Sequence, residues 1–345
     1  MKAARLHDYG QSLVVEQVAE PEVTGPLDVV VGIGGAGLCR TDLHIVEGQW
    51  KEKSGVELPY TLGHENAGWV REVGTAVTNV APGDAVIVHP LITCGLCRAC
   101  RAGDDMHCET GRFPGIDTDG GFAELLKTNA RAVAKLASGL EPVDVAAHAD
   151  AGLTAYHAVK KAAPLLYPGT RAVVIGAGGL GHIGVQSLKA LTATEVIVVD
   201  RSEEALELAR ARGADETVLA DGRQVDVVRD RTDGHGAEAV IDFVGEGGAL
   251  EDGVAMLAEG GTHYVIGYGD VLSVPAIDIV SAEINFVGNL VGTYNELVEL
   301  MTLASQGKVD LETRTYPLDA IDDAMGDLDA GRLHGRGILV PDASA

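Results

Sequence analysis

The stretch Arg171-Ala172-Val173-Val174-Ile175-Gly176-Ala177-Gly178-Gly179-Leu180-Gly181 constrains this chain more than any other. A short β-branched run that ends in a glycine-rich turn, followed by an apolar helical pattern to about residue 191, predicts a buried strand, a tight turn and a helix. A second strand is predicted at residues 195–200. Ser202 then caps a helix through about Arg212, which Gly213 stops. Further strand candidates lie at 239–244, 262–267 and 284–287, most of them separated by helical stretches. Strands alternating with helices imply an α/β fold with a doubly wound parallel sheet.

The glycines Gly176, Gly178, Gly179 and Gly181 fit G-x-G-x-x-G, and Asp200 ends the next strand 24 residues after Gly176. In a strand–turn–helix setting, the first glycine makes the turn and the second lets a pyrophosphate approach the backbone. The third lets the helix pack on the strand, and the helix N-terminus favours phosphate charge. A carboxylate at Asp200 accepts hydrogen bonds from a ribose diol and repels a 2′-phosphate, so NAD is expected rather than NADP. Arg201 pulls the other way, since an arginine there attracts that phosphate.

The first 140 residues differ in texture. Short strands at residues 13–15, 29–33, 67–70 and 85–88 are separated by turn signals such as Ala81-Pro82-Gly83-Asp84, which predicts a small all-β body with functional loops. One of its turn-rich segments holds Cys94, Cys97, Cys100 and Cys108, spaced C-x2-C-x2-C-x7-C. Such spacing wraps one cation in four thiolates, the closed coordination of a structural zinc. A disulfide framework and an iron–sulfur cluster are the alternatives. The first suits a reducing compartment poorly, and the second lacks the proline after its last cysteine. Cys39 stands apart, followed by Arg40-Thr41-Asp42-Leu43-His44, with Gly63-His64-Glu65 downstream. A catalytic zinc takes three protein ligands and keeps one open position. Cys39 and His64 supply two, and spacing does not name the third.

Charge excludes some partners. With 26 Lys and Arg against 51 Asp and Glu, the chain carries −25, a field that repels nucleic-acid backbones and anionic membranes. Only nine of the cations are lysines, and a salt-adapted source is one expectation from that surface. No run of 18 apolar residues is present, and the N-terminal residues are charged where a signal peptide needs an apolar stretch. The expected location is the cytoplasm.

Taken in order, these motifs resemble the zinc-dependent medium-chain alcohol dehydrogenases, in particular the bacterial and archaeal NAD-dependent branch. The likeness runs nearly end to end. It covers Gly37-Leu38-Cys39-Arg40-Thr41-Asp42-Leu43-His44, the turn Leu62-Gly63-His64-Glu65 and the four-cysteine lobe. It continues through Asp150-Ala151-Gly152-Leu153-Thr154-Ala155-Tyr156-His157, the nucleotide turn and Gly335-Arg336-Gly337. The resemblance implies a GroES-like β-rich catalytic domain at 1–155 and 292–345, and a Rossmann NAD-binding domain at 156–291. It implies two zinc ions per chain, one structural and one catalytic.

The resemblance further implies that Cys39, His64 and Asp150 ligate the catalytic zinc, with Glu65 close behind as an occasional ligand. Asp42 would receive the other ring N–H of His64. Thr41 and His44 match a proton relay, and Arg40 and Arg336 match contacts to the cofactor pyrophosphate. Trp50, Pro90 and Leu91 match a substrate pocket, and His89 is left without a role. His157 and His182 read as structural residues.

The implied activity is interconversion of primary or secondary alcohols with aldehydes or ketones by hydride transfer with NAD. Polyol, threonine or thiol-adduct oxidation is the alternative, and a non-enzymatic zinc- and nucleotide-binding protein is disfavoured. The implied partner is a small-molecule alcohol or carbonyl. A homodimer or homotetramer is expected, with the strand near 284–290 as the edge that joins subunits.

Overall fold

The computed structural model describes residues 1–341. The chain divides into two compact units, residues 1–153 with 293–305 and 311–341, and residues 154–292 with 306–310.

The first unit is built on a seven-stranded sheet. Its path runs Thr313–Pro317, Arg336–Val340, Asp28–Gly37, Glu65–Val73, Ala85–Val88 and Val133–Lys135, and Leu125–Asn129 also pairs with Asp28–Gly37. All pairings are antiparallel except that of Thr313–Pro317 with Arg336–Val340. A small sheet of Val14–Gln17, Lys2–Leu6 and Tyr60–Thr61 stands beside it. Leu6, Leu38, Ile45, Leu62, Phe122 and Leu126 fill the core between them. After the second unit's strands, residues 293–305 and 311–341 return to this unit, and the latter contribute two strands of the large sheet.

Long strands arise where small residues allow close pairing. Gly68 faces the Gly32 carbonyl, and a Cβ there would lie 1.9 Å from that oxygen. This contact lets Asp28–Gly37 and Glu65–Val73 run side by side, which brings the residues flanking their ends, Cys39 and His64, close together.

The second unit holds six parallel strands in the order Glu216–Leu219, Glu195–Asp200, Arg171–Ile175, Ala237–Asp242, Leu257–Val265 and Asn285–Gly288. Numbered along the chain this is 3-2-1-4-5-6, the doubly wound order with its reversal beside the first strand. Apolar clusters cover both faces, one around Val174, Val198 and Leu206 and the other around Val173, Ile197 and Met256. Ser202 caps Glu203–Ala211 by accepting from the Ala205 N–H at 3.3 Å. Among the described residues no helix is long and apolar enough to cross a membrane.

Candidate functional site

Cys39 ends the approach from strand Asp28–Gly37 and caps helix Arg40–Val46. Asp42, in the first turn of that helix, accepts the Cys39 backbone N–H through Oδ2 at 2.9 Å. Its other oxygen, Oδ1, stands 3.3 Å from His64 Nδ1. One fully buried carboxylate thus orients the backbone of the thiol and the ring of the histidine. His64 Nε2 faces Asp150 Oδ2 at 3.4 Å, and Asp150 follows the short helix Ala146–Ala149.

The ligand atoms of Cys39, His64, Glu65 and Asp150 all lie within 4.8 Å of one another, as donors about 2.0–2.3 Å from one zinc do. A thiolate beside an imidazole selects a borderline-soft ion over magnesium or calcium, which want oxygen alone. The donor set fits zinc. Burial disfavours a charged His64 ring, but Asp42 and Asp150 outweigh it and raise the pKa well above the ordinary histidine value.

Glu65 is fully buried, and burial pushes its carboxyl up to about 7, with Arg336 opposing and Asp150 adding. Its Oε1 accepts from Arg336 and from the Ala151 N–H at 3.2 Å, while Oε2 has no hydrogen-bond partner among the described residues. Room for that carboxylate comes from Gly37, where a Cβ would lie 2.0 Å from Oε2. The ion pair between Glu65 and the buried Arg336, 271 residues apart, is the feature that spacing could not reveal. Nor could it reveal the need for Gly37.

Thr41 and His44 stand three residues apart on helix Arg40–Val46, both half-buried, and Arg40 is exposed at its start. Trp50 is half-buried against the first core, with Lys53 Nζ 5.4 Å from its ring centre. Pro90 and Leu91 are buried just after strand Ala85–Val88. His89 is buried too, its ring 6.4 Å from that of Tyr294.

In the four-cysteine lobe all thiols are free and close enough to share an ion, so the disulfide alternative falls away. Cys94 Sγ lies 3.9 Å from Cys100 Sγ. Backbone N–H groups of Leu96 and Cys97 hold Cys94 down to about 6, whereas burial raises Cys100 to about 12. Backbone N–H groups of Cys100 and Glu109 lower Cys97 as well.

The nucleotide turn lies in the second unit. Gly176 has φ +88°, a Cβ at Gly181 would lie 1.8 Å from the Gly176 carbonyl oxygen, and a Cβ at Gly178 would meet nothing within 4 Å. The turn thus falls on Gly176, open room on Gly178 and close helix packing on Gly181. His182 packs behind them with Nδ1 2.8 Å from the Gly178 carbonyl, and His157 is half-buried within helix Ala151–Ala162. Asp200 accepts the N–H groups of Ala177 at 2.6 Å and Ser202 at 2.8 Å. Asp200, Arg201, Gln224, Val244, Gly247 and Asp252 are among the residues around a cavity of about 200 Å³.

A family model described as "Alcohol dehydrogenase GroES-like domain" matches residues 25–138, and one described as "Zinc-binding dehydrogenase" matches 179–306. An NAD-dependent alcohol dehydrogenase of Sulfurisphaera tokodaii is 38% identical over 99% of this chain and all of that protein. A D-arabinose 1-dehydrogenase (NADP(+)) of Saccharolobus solfataricus is 37% identical over 99% of this chain and 97% of that one. The crystal structure of the alcohol dehydrogenase from the hyperthermophilic archaeon Aeropyrum pernix matches with a TM-score of 0.96 and 48% identity, covering 99% of this chain and all of that one. The chain belongs to the zinc-dependent medium-chain alcohol dehydrogenase family.

Proposed function

We propose that this protein interconverts small alcohols with aldehydes or ketones by exchanging a hydride with NAD. Cys39, His64 and Asp150 hold the catalytic zinc, Cys94, Cys97, Cys100 and Cys108 hold a structural one, and residues 176–181 with Asp200 hold NAD. The observation that carries this reading is the convergence of a thiol, an imidazole and a carboxylate from positions 39, 64 and 150. When bound, zinc supplies Lewis acidity toward the alcohol oxygen and NAD accepts the hydride.

The chain's own residues do the rest. Cys39 and Asp150 bring two negative charges against the ion's two positive ones, so the donors and metal are together neutral. Asp42 holds His64 with Nδ1 toward itself and Nε2 toward the other donors. Glu65, tied by Arg336 and the Ala151 N–H, is a reserve donor beside them. Thr41 passes the hydroxyl proton outward and His44 receives it, which suits two side chains on one helical face. Trp50, Pro90 and Leu91 give the alcohol an apolar wall. Arg40 offers charge to the pyrophosphate, and Arg336 does so in addition to holding Glu65.

The sequence relative named D-arabinose 1-dehydrogenase (NADP(+)) supports a second reading, in which the substrate is a sugar or polyol. An assay of primary, secondary and benzylic alcohols, polyols and aldoses, each with NAD and NADP, separates the two. Turnover of simple alcohols with NAD is expected. A sugar oxidised best with NADP selects the second reading, and no turnover with any pair contradicts both.

Four reduced thiols that hold zinc suit the cytoplasm. Asn285–Gly288 is an edge strand, and Val271, Ile277, Val280 and Leu290 around it are more than half exposed. A second copy that pairs at this edge covers them, so a homodimer or a tetramer of such dimers is the expected assembly.

A further inference from the structure

Beside the nucleotide cavity lies a pair of polar side chains that the chemistry above does not use. Asp242 ends strand Ala237–Asp242, His263 lies in the neighbouring strand Leu257–Val265, and both are 0% exposed. Asp242 Oδ1 accepts the backbone N–H of Val244 at 2.8 Å and of Gly245 at 3.0 Å. Its Oδ2 stands 3.7 Å from His263 Nε2. Among the described residues, neither that oxygen nor either ring nitrogen of His263 has a hydrogen-bond partner.

A buried polar atom left unbonded forfeits its hydration with nothing in return. Three of them on strands paired through Ile175 and Val240 burden the fold, and an aliphatic residue at 263 would avoid part of that cost. Their position gives the reason for keeping them. Val244, Glu246 and Gly247, in the turn that Asp242 holds, line one side of the cavity. Ala249, Asp252 and Met256, in or next to helix Ala249–Ala255, line another. Gly253 of the same helix lies against the His263 ring, where a Cβ would come within 2.8 Å of Nε2. The carboxylate therefore touches one wall and the imidazole the other.

We propose that Asp242 and His263 work as one positioning pair for the nucleotide: Asp242 sets the turn at 244–245, and His263 sets both the carboxylate and the helix packed on it. This inference rests on the reading that the cavity takes the adenosine end of NAD. Neither residue touches the reacting atoms, so the pair acts on cofactor affinity and not on the chemical step.

The test is NAD binding by calorimetry together with steady-state kinetics on the intact zinc enzyme and three variants. His263→Phe and Asp242→Ala should each weaken NAD binding about tenfold. At saturating NAD, kcat and the KM for alcohol should stay within about twofold. His263→Gln, which keeps a donor in place of the ring nitrogen, should recover most of the affinity. The double variant should be no weaker than the worse single one, because the two residues form a unit. NAD affinity within twofold of wild type in both His263→Phe and Asp242→Ala overturns the inference, as does a fall in kcat with affinity unchanged. If His263→Phe does not fold, Asp242→Ala against His263→Gln decides alone. A wild type that binds no NAD overturns the proposed function and this inference together, whereas normal binding with unaffected variants overturns only the inference.

Discussion

At the scale of single residues, Asp42 is the side chain on which the metal centre turns. It accepts the Cys39 N–H and faces His64 Nδ1 from full burial, so it orients two of the three proposed ligands. Asp42→Asn should weaken zinc binding at the catalytic site by about 10–100-fold, measured by competition with a chromophoric chelator. Unchanged affinity would make Asp42 only a helix cap. A second carboxylate shows how charge is used away from the site. Burial works to raise the Asp28 pKa, but the Lys127 ammonium and the N–H groups of Gly25 and Thr24 win and bring it to about 2. A pKa depressed in the fold stabilises above the unfolded value, near 3.8, and that stability is lost as pH falls toward about 2. Wild type should therefore exceed Asp28→Asn in unfolding free energy at pH 6, and the gap should close as the pH nears 2. A constant gap across that range would remove the charge from the explanation.

At the scale of elements, the legibility of the sequence follows from where the information lies. Strands Ala85–Val88 and Glu195–Asp200 match their predicted limits, because turn residues and caps next to them end the pattern locally. Strand Leu125–Asn129 carries Lys127, Thr128 and Asn129 and shows no apolar run, so only its pairing with Asp28–Gly37 makes it a strand. Thr313–Pro317 is hidden in the same way by Arg314 and by its terminal proline. The four cysteines are legible because 15 residues hold them all, whereas Asp150 lies 86 residues beyond His64 and Arg336 another 186 beyond that. Residues that only the fold assembles leave no mark in spacing; a family resemblance named Cys39, His64 and Asp150, and their donor atoms lie within 4.8 Å of one another. The glycine turn offers a direct test at this scale. A Cβ at Gly181 would meet the Gly176 backbone oxygen at 1.8 Å, and backbone cannot swing aside as a side chain does. Gly181→Ala should cost about 1–3 kcal/mol in urea unfolding and abolish NAD binding. Normal binding by a stable variant would show that the third glycine does not seat the helix.

At the scale of the whole molecule, the −25 charge has to sit on the surface, where like charges oppose compactness. The Debye length shrinks from about 10 Å at 0.1 M salt to about 3 Å at 1 M, so repulsion between neighbouring carboxylates fades over that range. Thermal unfolding should shift upward as potassium chloride rises from 0.05 to 1 M, by about 1–2 °C for each kcal/mol of repulsion relieved. A melting temperature indifferent to salt would mean that local ion pairs such as Lys135–Asp84 and Lys189–Asp215 already balance the field.

The most direct test of the account is the zinc content of purified protein, measured by plasma mass spectrometry beside alcohol turnover, for wild type and Cys39→Ser. The two donor groups predict about two zinc ions per wild-type chain. In Cys39→Ser about one should remain, in the four-cysteine lobe, with the fold intact and turnover gone. A variant that keeps both ions and its activity, or a wild type with fewer than two, would contradict the claim that Cys39, His64 and Asp150 share a catalytic metal.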